Sequence, residues 1–459
     1  MTMPATQAPA QVSVGASKTA DAATSHAPRV VAFVCKWCTY AGADVAGTSR
    51  LQYPPNVRAI KLPCTGRIDV TFVLRAFMQG ADGVLVSGCH PGDCHYTSGN
   101  YRARRRWTLF RDVLDTVGFD LRRFECAWIS AAEGNKWART VKEFTERIRA
   151  LGPYQEMRAL ATDHAPPVAP NHVAPASSRP PCRQNAGATF DLTAAVAEAL
   201  SSGKVKAVAC WVEAKTLGRA RPSWITKADE AALLVSPGDS APNLSRLLKN
   251  PALKPARPLG IVTRPAEMRA LNVLRQEAQL AAEEVLIFAV GPDGKFLGVL
   301  DWDAAGKALL AGGDGVSGFA PELLKQLDEL QAKPREERWA FWRDQFARCI
   351  KCYACRGSCP LCGCDQCLAD KNQPQWFPSA SDGPGNFAWH IVRAFHLAGR
   401  CVGCGACQAA CPTGVPINLL GAAAARSALK HYGHRAGADP NAVPLQSDYK
   451  PDDKEDFIL

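Results

Sequence analysis

The sequence predicts an α/β N-terminal domain with a parallel sheet, a second α/β domain, and a small cysteine-dense C-terminal domain with added helices. Three observations carry this. Short apolar runs alternate with helix-like stretches over residues 29–153, and the rhythm resumes over 187–303. A stretch rich in Pro, Ala, His and Ser separates the two. Eleven of the nineteen cysteines then fall between Cys349 and Cys411.

Taken in order, residues 1–28 are rich in Ala, Thr, Ser and Pro and poor in large apolar groups, so disorder is expected. They lack the charged-then-apolar order of a secretory signal. In 29–153 the strand candidates are VVAFVC (30–35), VRAIKL (57–62), DGVLVSG (82–88) and FECAWIS (124–130). The helical stretches DVTFVLRAFMQG, YRARRRWTLFRDVLDTVG and NKWARTVKEFTERIRALG alternate with them. Such a rhythm implies a mostly parallel sheet covered by helices, with functional groups beyond the carboxyl ends of its strands. Cys35, Cys64 and Cys89 each fall just past a strand, and Cys94 shares the loop of Cys89, so one site is expected there.

Residues 154–186 read as a linker, with APPVAPNHVAPASSRPP at their heart. The second α/β domain, 187–303, has strand candidates KAVACWVE, PLGIVT, EVLIFAVG and KFLGVLD, and a helix from about Pro265 to Leu280. Residues 304–345 read as a helical connector around ELLKQLDELQA, 346–430 as the cysteine-dense domain, and 431–459 as a polar tail that frays.

A chain of 459 residues, 47% hydrophobic, is long enough for two or three cores. No apolar run approaches the ~20 residues a membrane span needs. The net charge of +11 gathers partly in Arg102, Arg104, Arg105 and Arg106. No aromatic platform accompanies them. They read as a solvated helix face, or as a docking surface for an acidic redox partner, and no nucleic-acid binding is expected. Clustered thiols without the marks of a small secreted domain point to metal in a reducing cytoplasm, not to disulfides.

The strongest motif is Cys349-x2-Cys352-x2-Cys355-x3-Cys359-Pro360, which recurs as Cys401-x2-Cys404-x2-Cys407-x3-Cys411-Pro412. This is the run of bacterial two-cluster ferredoxins. Three thiolates at two-residue gaps wrap one cubane in a tight loop. The fourth, turned away before its proline, reaches the other cubane. Cys349, Cys352, Cys355 and Cys411 are therefore expected to hold one 4Fe-4S cluster, and Cys401, Cys404, Cys407 and Cys359 a second. The C-terminal domain is thus expected to be a bacterial dicluster ferredoxin-like domain with added helices. Paired zinc sites would use C-x2-C pairs at longer separations. Cys362, Cys364 and Cys367 are left over, one thiolate short of a third cubane. They mark a possible additional metal site, with Cys182, Cys210, a histidine or a partner's residue as outside ligand, or they are structural thiols. The stretch NFAWHIVRAFHLAG reads as the helix separating the two runs.

In the N-terminal domain Cys35, Cys38, Cys64, Cys89 and Cys94 suit one cluster of four ligands with one spare. Cys35-x2-Cys38 alone could be a dithiol redox pair. Cys126, inside a strand, reads as core. His90, His95, His390 and His396 are read as surface hydrogen-bonding groups, and Trp37, Trp107, Trp128, Trp376 and Trp389 as packing. There is no P-loop, Rossmann glycine fingerprint or Ser/His/Asp arrangement, and no catalytic residue is assigned.

The segments CKWCTYAGADVAG, LQYPPNVRAIKLPCTGRID, GADGVLVSGCHPGDCHYTSGNYRARRR and WISAAEGNKWA make residues 29–153 resemble the delta subunit of methyl-viologen-reducing hydrogenase. The resemblance implies a small α/β protein with one 2Fe-2S cluster on four of the five thiols Cys35, Cys38, Cys64, Cys89 and Cys94. It also implies electron transfer between a hydrogenase or dehydrogenase and a heterodisulfide-reductase-type flavoprotein. Residues 187–430, through FARCIKCYACRGSCPLCGCDQC and NFAWHIVRAFHLAGRCVGCGACQAACPTGVP, resemble ferredoxin-type proteins found beside such subunits. The middle region, through WITKADEAALLV and PNLSRLLKN, is distantly similar to the beta subunit of deazaflavin-dependent hydrogenases and dehydrogenases. Where that family has Lys-Gly-Cys-Asp-Ser-Arg, this chain has Thr263-Arg264-Pro265-Ala266-Glu267-Met268-Arg269. No flavin is therefore expected in this chain, and the middle domain reads as a spacer or docking module.

The expected function is that of an iron–sulfur electron-transfer subunit of a multi-subunit oxidoreductase. It would relay electrons between a heterodisulfide-reductase-like flavoprotein and a hydrogenase, dehydrogenase or reductase partner. The alternative is a flavin-dependent oxidoreductase with its own substrate site in the middle domain.

Overall fold

Three strands of the first sheet are short runs that end at a cysteine or a glycine or just before a proline, and the fourth runs FECAW. The computed structural model describes residues 26–162, 190–214, 219–235, 242–311, 318–364, 366–371 and 373–459. In it the four runs form strands β1 (Val30–Cys35), β2 (Val57–Leu62), β3 (Gly83–Gly88) and β4 (Phe124–Trp128). All are parallel, in the order β2-β1-β3-β4. The side-chain period of two sends Val30, Ala32 and Val34 to one face, packed on Trp137, Val141, Phe144 and Ile148 of the helix Gly134–Leu151. Phe33 points to the other face, into a core shared with the helices Val70–Met78 and Gly99–Thr116. A helix absent from the expectation, Thr39–Thr48, joins β1 to β2.

The chain crosses from β1 to β2 in one direction and then returns past β1 to β3. A parallel sheet leaves a crevice at such a reversal, beyond the carboxyl ends of the two strands that flank it. Here those ends carry Cys35 and Cys89.

The second sheet holds β5 (Val208–Ala214), β6 (Arg219–Ile225), β7 (Leu259–Thr263), β8 (Val285–Val290) and β9 (Phe296–Leu300) in the order β6-β5-β7-β8-β9. β5, β7 and β8 are parallel at the centre, and β6 and β9 are antiparallel edges. Neither β6 nor the helix Phe190–Ser201 is among the expected elements. Pro222 lies within β6, and an edge strand is where a sheet tolerates proline. The core of this sheet continues into Cys359, Leu361, Leu397 and Val402.

Three expectations are corrected. The stretch read as linker begins with a helix, Gln155–Thr162, whose Met157 and Leu160 are buried; residues 163–189 lie outside the described residues, as do 1–25 of the expected disordered segment. The arginine run is not a solvated face. Arg104 and Arg105 are buried, and only Arg102 of the four is exposed. Nor does the tail fray. Arg105 Nε donates to Asp453 at 2.5 Å, Arg104 donates to the carbonyls of Lys450 and Pro451, and Trp128 Nε1 donates to Glu455. The amide of Leu459 donates to the Cys126 carbonyl and its carbonyl accepts from Trp128 N, extending the sheet beside β4. The polarity that reads as fraying is the acid complement of the buried arginines.

Helices Arg335–Ala347, Gly383–His396 and Ile417–Tyr432 join the core on the Phe33 face of the first sheet. Among the described residues no helix is long and apolar enough to cross a membrane.

Candidate metal centres

The sheet brings the five N-terminal thiols together. Cys35 ends β1, Cys38 precedes the helix Thr39–Thr48, Cys64 follows β2, Cys89 follows β3, and Cys94 lies before the helix Gly99–Thr116. The sulfurs of Cys35, Cys38 and Cys89 lie within 4.8 Å of one another, and Cys64 Sγ is 3.6 Å from Cys94 Sγ. Glycines make this close approach possible. A Cβ on Gly99 would stand 2.4 Å from Cys64 Sγ, and one on Gly88 would stand 2.2 Å from Thr65 Cγ2. The amide of Gly66 donates to Cys64 Sγ at 3.4 Å. Buried Asn100 donates to the carbonyls of Cys89 and His90 and holds the loop.

The electrostatics are those of thiols competing for protons. The hydrogen bond from Cys89 draws Cys35 down to about 6, and the same contact drives Cys89 up. Burial pushes Cys64 up to about 11 and raises Cys38. A metal would replace those protons and remove the conflict. His90 bonds Glu133 at 2.7 Å, as expected of a hydrogen-bonding group. Trp37, read as packing, packs at the surface: it is 42% exposed and stacked on His95 at 3.8 Å.

The two C-terminal cysteine runs fold alike. The first passes Lys351 and Tyr353 at φ 51° and 56°, and the second passes Gly403 and Gly405, both at φ 72°. In each, a one-turn helix follows, Ala354–Gly357 and Ala406–Ala409. The left-handed residues stand at matching places between the cysteines, so both loops curl the same way although only one uses glycine. Around the first loop Cys349 neighbours Cys352 and Cys411, and Cys355 neighbours Cys349 and Cys411.

Cys359 of the first run and Cys401, Cys404 and Cys407 of the second line one cavity. Its other walls include Ala394, Leu397, Val402 and Ile417. Burial raises Cys401 to about 12 and also raises Cys404. Four thiols around a water-poor cavity suit a thiophilic centre, where they would bind as thiolates. The helix Gly383–His396 does lie between the two runs in sequence and in space. Its Asn386 donates to the Cys349 carbonyl at 2.8 Å, and its Arg393 to the Cys355 carbonyl at 3.1 Å. The surface reading of His390 is corrected: the ring is 2% exposed. Burial, then Arg393 and Lys351, push it down to about 3, so the imidazole is neutral. Nothing in its motif signals this; only the packing does.

Cys362, Cys364 and Cys367 line a second pocket with Lys249, Arg246, Arg356 and Arg400. The Lys249 ammonium is shielded from solvent with no hydrogen-bond partner, and it fills the space that a Cβ on Gly363 would take. Cys126 and Cys210 are buried in strands, and Cys210 Sγ lies 3.9 Å from the Ser223 carbonyl. Cys182 lies outside the described residues. In the middle region, Arg264 pairs with Glu267 at 3.0 Å and covers the Trp211 ring, in the segment standing at the flavin motif.

Comparison with known proteins bears on both sites. Residues 30–152 match the family described as methyl-viologen-reducing hydrogenase, delta subunit, and residues 397–417 match the 4Fe-4S binding domain. A Methanococcus voltae protein, the vhc iron-sulfur subunit of an F420-non-reducing hydrogenase, is 50% identical over 126 residues, which are 28% of this chain and 88% of that protein. An F420-non-reducing hydrogenase iron-sulfur subunit from Archaeoglobus profundus is 47% identical over 128 residues, 28% of this chain and 93% of its own length. One subunit of the ferredoxin/F(420)H(2)-dependent CoB-CoM heterodisulfide reductase of Methanosarcina acetivorans is 45% identical over 134 residues, 29% of this chain but 17% of that protein.

Proposed function

We propose that this chain, which belongs through residues 30–152 to the methyl-viologen-reducing hydrogenase delta-subunit family, is an iron–sulfur electron-transfer subunit of a multi-subunit oxidoreductase. The observation that carries the reading is the cavity in which Cys359 meets Cys401, Cys404 and Cys407, because a thiol crossing from one run to the other is what two paired cubanes need. Cys349, Cys352, Cys355 and Cys411 hold the first 4Fe-4S cluster, and Cys401, Cys404, Cys407 and Cys359 the second. Four of Cys35, Cys38, Cys64, Cys89 and Cys94 hold a 2Fe-2S cluster at the sheet crevice. The clusters supply one-electron chemistry; the chain spaces them, excludes water and donates backbone amides to their sulfurs.

The named relatives are subunits of hydrogenases and of a heterodisulfide reductase. That supports a heterodisulfide-reductase-like flavoprotein on one side and a hydrogenase, dehydrogenase or reductase on the other. Work inside a reducing cytoplasm accords with so many free thiols. Cys362, Cys364 and Cys367 take an additional metal, whose anionic thiolates would neutralise the orphaned Lys249 ammonium.

The test is EPR of the dithionite-reduced chain. Cys359→Ser is expected to remove or alter one cubane signal and leave the other, although it lies in the first run. A change confined to the first-run cluster would refute the crossed ligation. Replacing Cys362, Cys364 and Cys367 together is expected to lower metal per chain; unchanged metal would refute the additional site.

A further inference from the structure

Helix Gly383–His396 carries His390 and Arg393 one turn apart, and both line the cavity of Cys359, Cys401, Cys404 and Cys407. Neither ring nitrogen of His390 has a hydrogen-bond partner. The ring is fixed by stacking on Phe346 at 4.7 Å and 7° between planes, so it cannot turn away to find one. Arg393 is 6% exposed; it donates to the Cys355 carbonyl and bonds the Cys407 thiol, and its Nε is unpartnered. The thiols of Cys407, Cys359, Cys362 and Cys355 surround its guanidinium, and an arginine keeps its charge even when buried. No carboxylate lines this cavity, and its one side-chain amide, Asn418, is turned to Cys407 at 3.3 Å. Native proteins seldom keep buried donors unpaired, and a bound group is a standard reason when they do. Here the occupant must accept hydrogen bonds, tolerate a buried cation, and sit among four thiols.

We propose that His390 and Arg393 are positioning residues that raise the reduction potential of the cluster held by Cys401, Cys404, Cys407 and Cys359, His390 by donating its ring N–H to a cluster sulfur and Arg393 by its buried charge. The inference rests on the proposed function and deepens it. On reduction the cluster gains one electron and one negative charge, with no bond broken and no proton moved. The electron comes from the redox partner, or from dithionite in the experiment. A cation and a preset donor stabilise the more negative state, and their effect is strengthened because the cavity is narrow and mostly apolar. Arg393 also reaches the carbonyl of Cys355, a ligand of the other cubane. The same helix turn therefore touches both clusters, but His390 and Arg393 both line the cavity of this one.

An EPR-monitored redox titration of the full, anaerobically isolated chain tests this. His390→Leu and Arg393→Met are each expected to move the midpoint of one cubane to more negative potential, with iron content unchanged and the other two centres still. His390→Gln, which keeps an N–H, and Arg393→Lys, which keeps a charge, are expected to restore much of the shift. In the unaltered chain with 15N-labelled histidine, pulsed EPR of the reduced cubanes is expected to show one weakly coupled ring nitrogen. That measurement stands even where a variant fails to load. An unmoved midpoint with intact clusters, equal shifts at all centres, or no nitrogen coupling would overturn the proposal and leave the proposed function in place. A chain with no acid-labile sulfide would overturn the proposed function itself.

Discussion

Cys64 Sγ lies 3.6 Å from Cys94 Sγ, and the Cα of Gly99 backs onto both, so that a methyl group there would stand 2.4 Å from one sulfur and 3.1 Å from the other. The N-terminal centre therefore depends on a residue that supplies no ligand. Gly99→Ala is expected to lose the N-terminal cluster's visible absorbance while both cubane EPR signals persist. Full retention of all three centres would show that the pair lies outside the ligand sphere.

The tail is held by charge. Arg105 and Asp453 have side chains only 4% and 5% exposed. Stranding one member of such a pair costs about 3–5 kcal/mol, and less here, because Asp448 at 3.3 Å still faces Arg105. Asp453→Asn is expected to lower the urea midpoint accordingly and to open the Leu459 pairing beside β4, read as faster amide exchange at Trp128. A loss under about 1 kcal/mol would mean the tail is merely laid on the surface.

The two cysteine loops differ in what they tolerate. At Gly405 a Cβ meets only the Asn418 amide at 3.4 Å, and Tyr353 already occupies the matching place in the other loop. Gly405→Ala is expected to cost about 1–2 kcal/mol, the left-handed penalty alone, and to keep its cluster. At Gly403 a Cβ would come 2.5 Å from the carbonyl carbon of Gly318. Gly403→Ala is expected to cost more than Gly405→Ala and to lower iron content. Equal effects would contradict the collision.

Asp112 joins the N-terminal helix Gly99–Thr116 to Ser427 and His431 of the C-terminal helix Ile417–Tyr432, at 2.7 and 2.9 Å. Burial would raise its carboxyl, but the bonds from His431 and Ser427 outweigh burial and hold it below the usual value. A depressed carboxyl stabilises the fold above the unfolded pKa, about 3.9, and loses that contribution as pH falls through the folded value. Asp112→Asn is expected to cost about 1 kcal/mol or less at pH 7, because the pair is partly exposed, and the difference is expected to vanish as pH drops below 4. A penalty unchanged by acid would assign it to packing.

What is legible in the sequence is local. The strands β1 and β2 coincide with the apolar runs, because a short β-branched run bounded by breakers has little choice. The thiols of the N-terminal pool can be named because each follows a strand. The helix Thr39–Thr48 escapes because TYAGADVAGT has almost no apolar face, and β6 because RARPSWI carries a proline and two arginines. The misread residues owe their state to distant partners. Arg105 is buried because Asp453 lies across the fold from it, and His390 because the cavity is closed by both cysteine runs.

The central claim is that these thiols grip iron and inorganic sulfide. Iron and acid-labile sulfide analysis of the anaerobically isolated chain, read beside its reduced EPR spectrum, tests it most directly. One 2Fe-2S and two 4Fe-4S centres predict about ten iron and ten sulfide per chain, more if the Cys362, Cys364 and Cys367 site also holds iron. Colourless protein, or zinc without sulfide, would contradict the account.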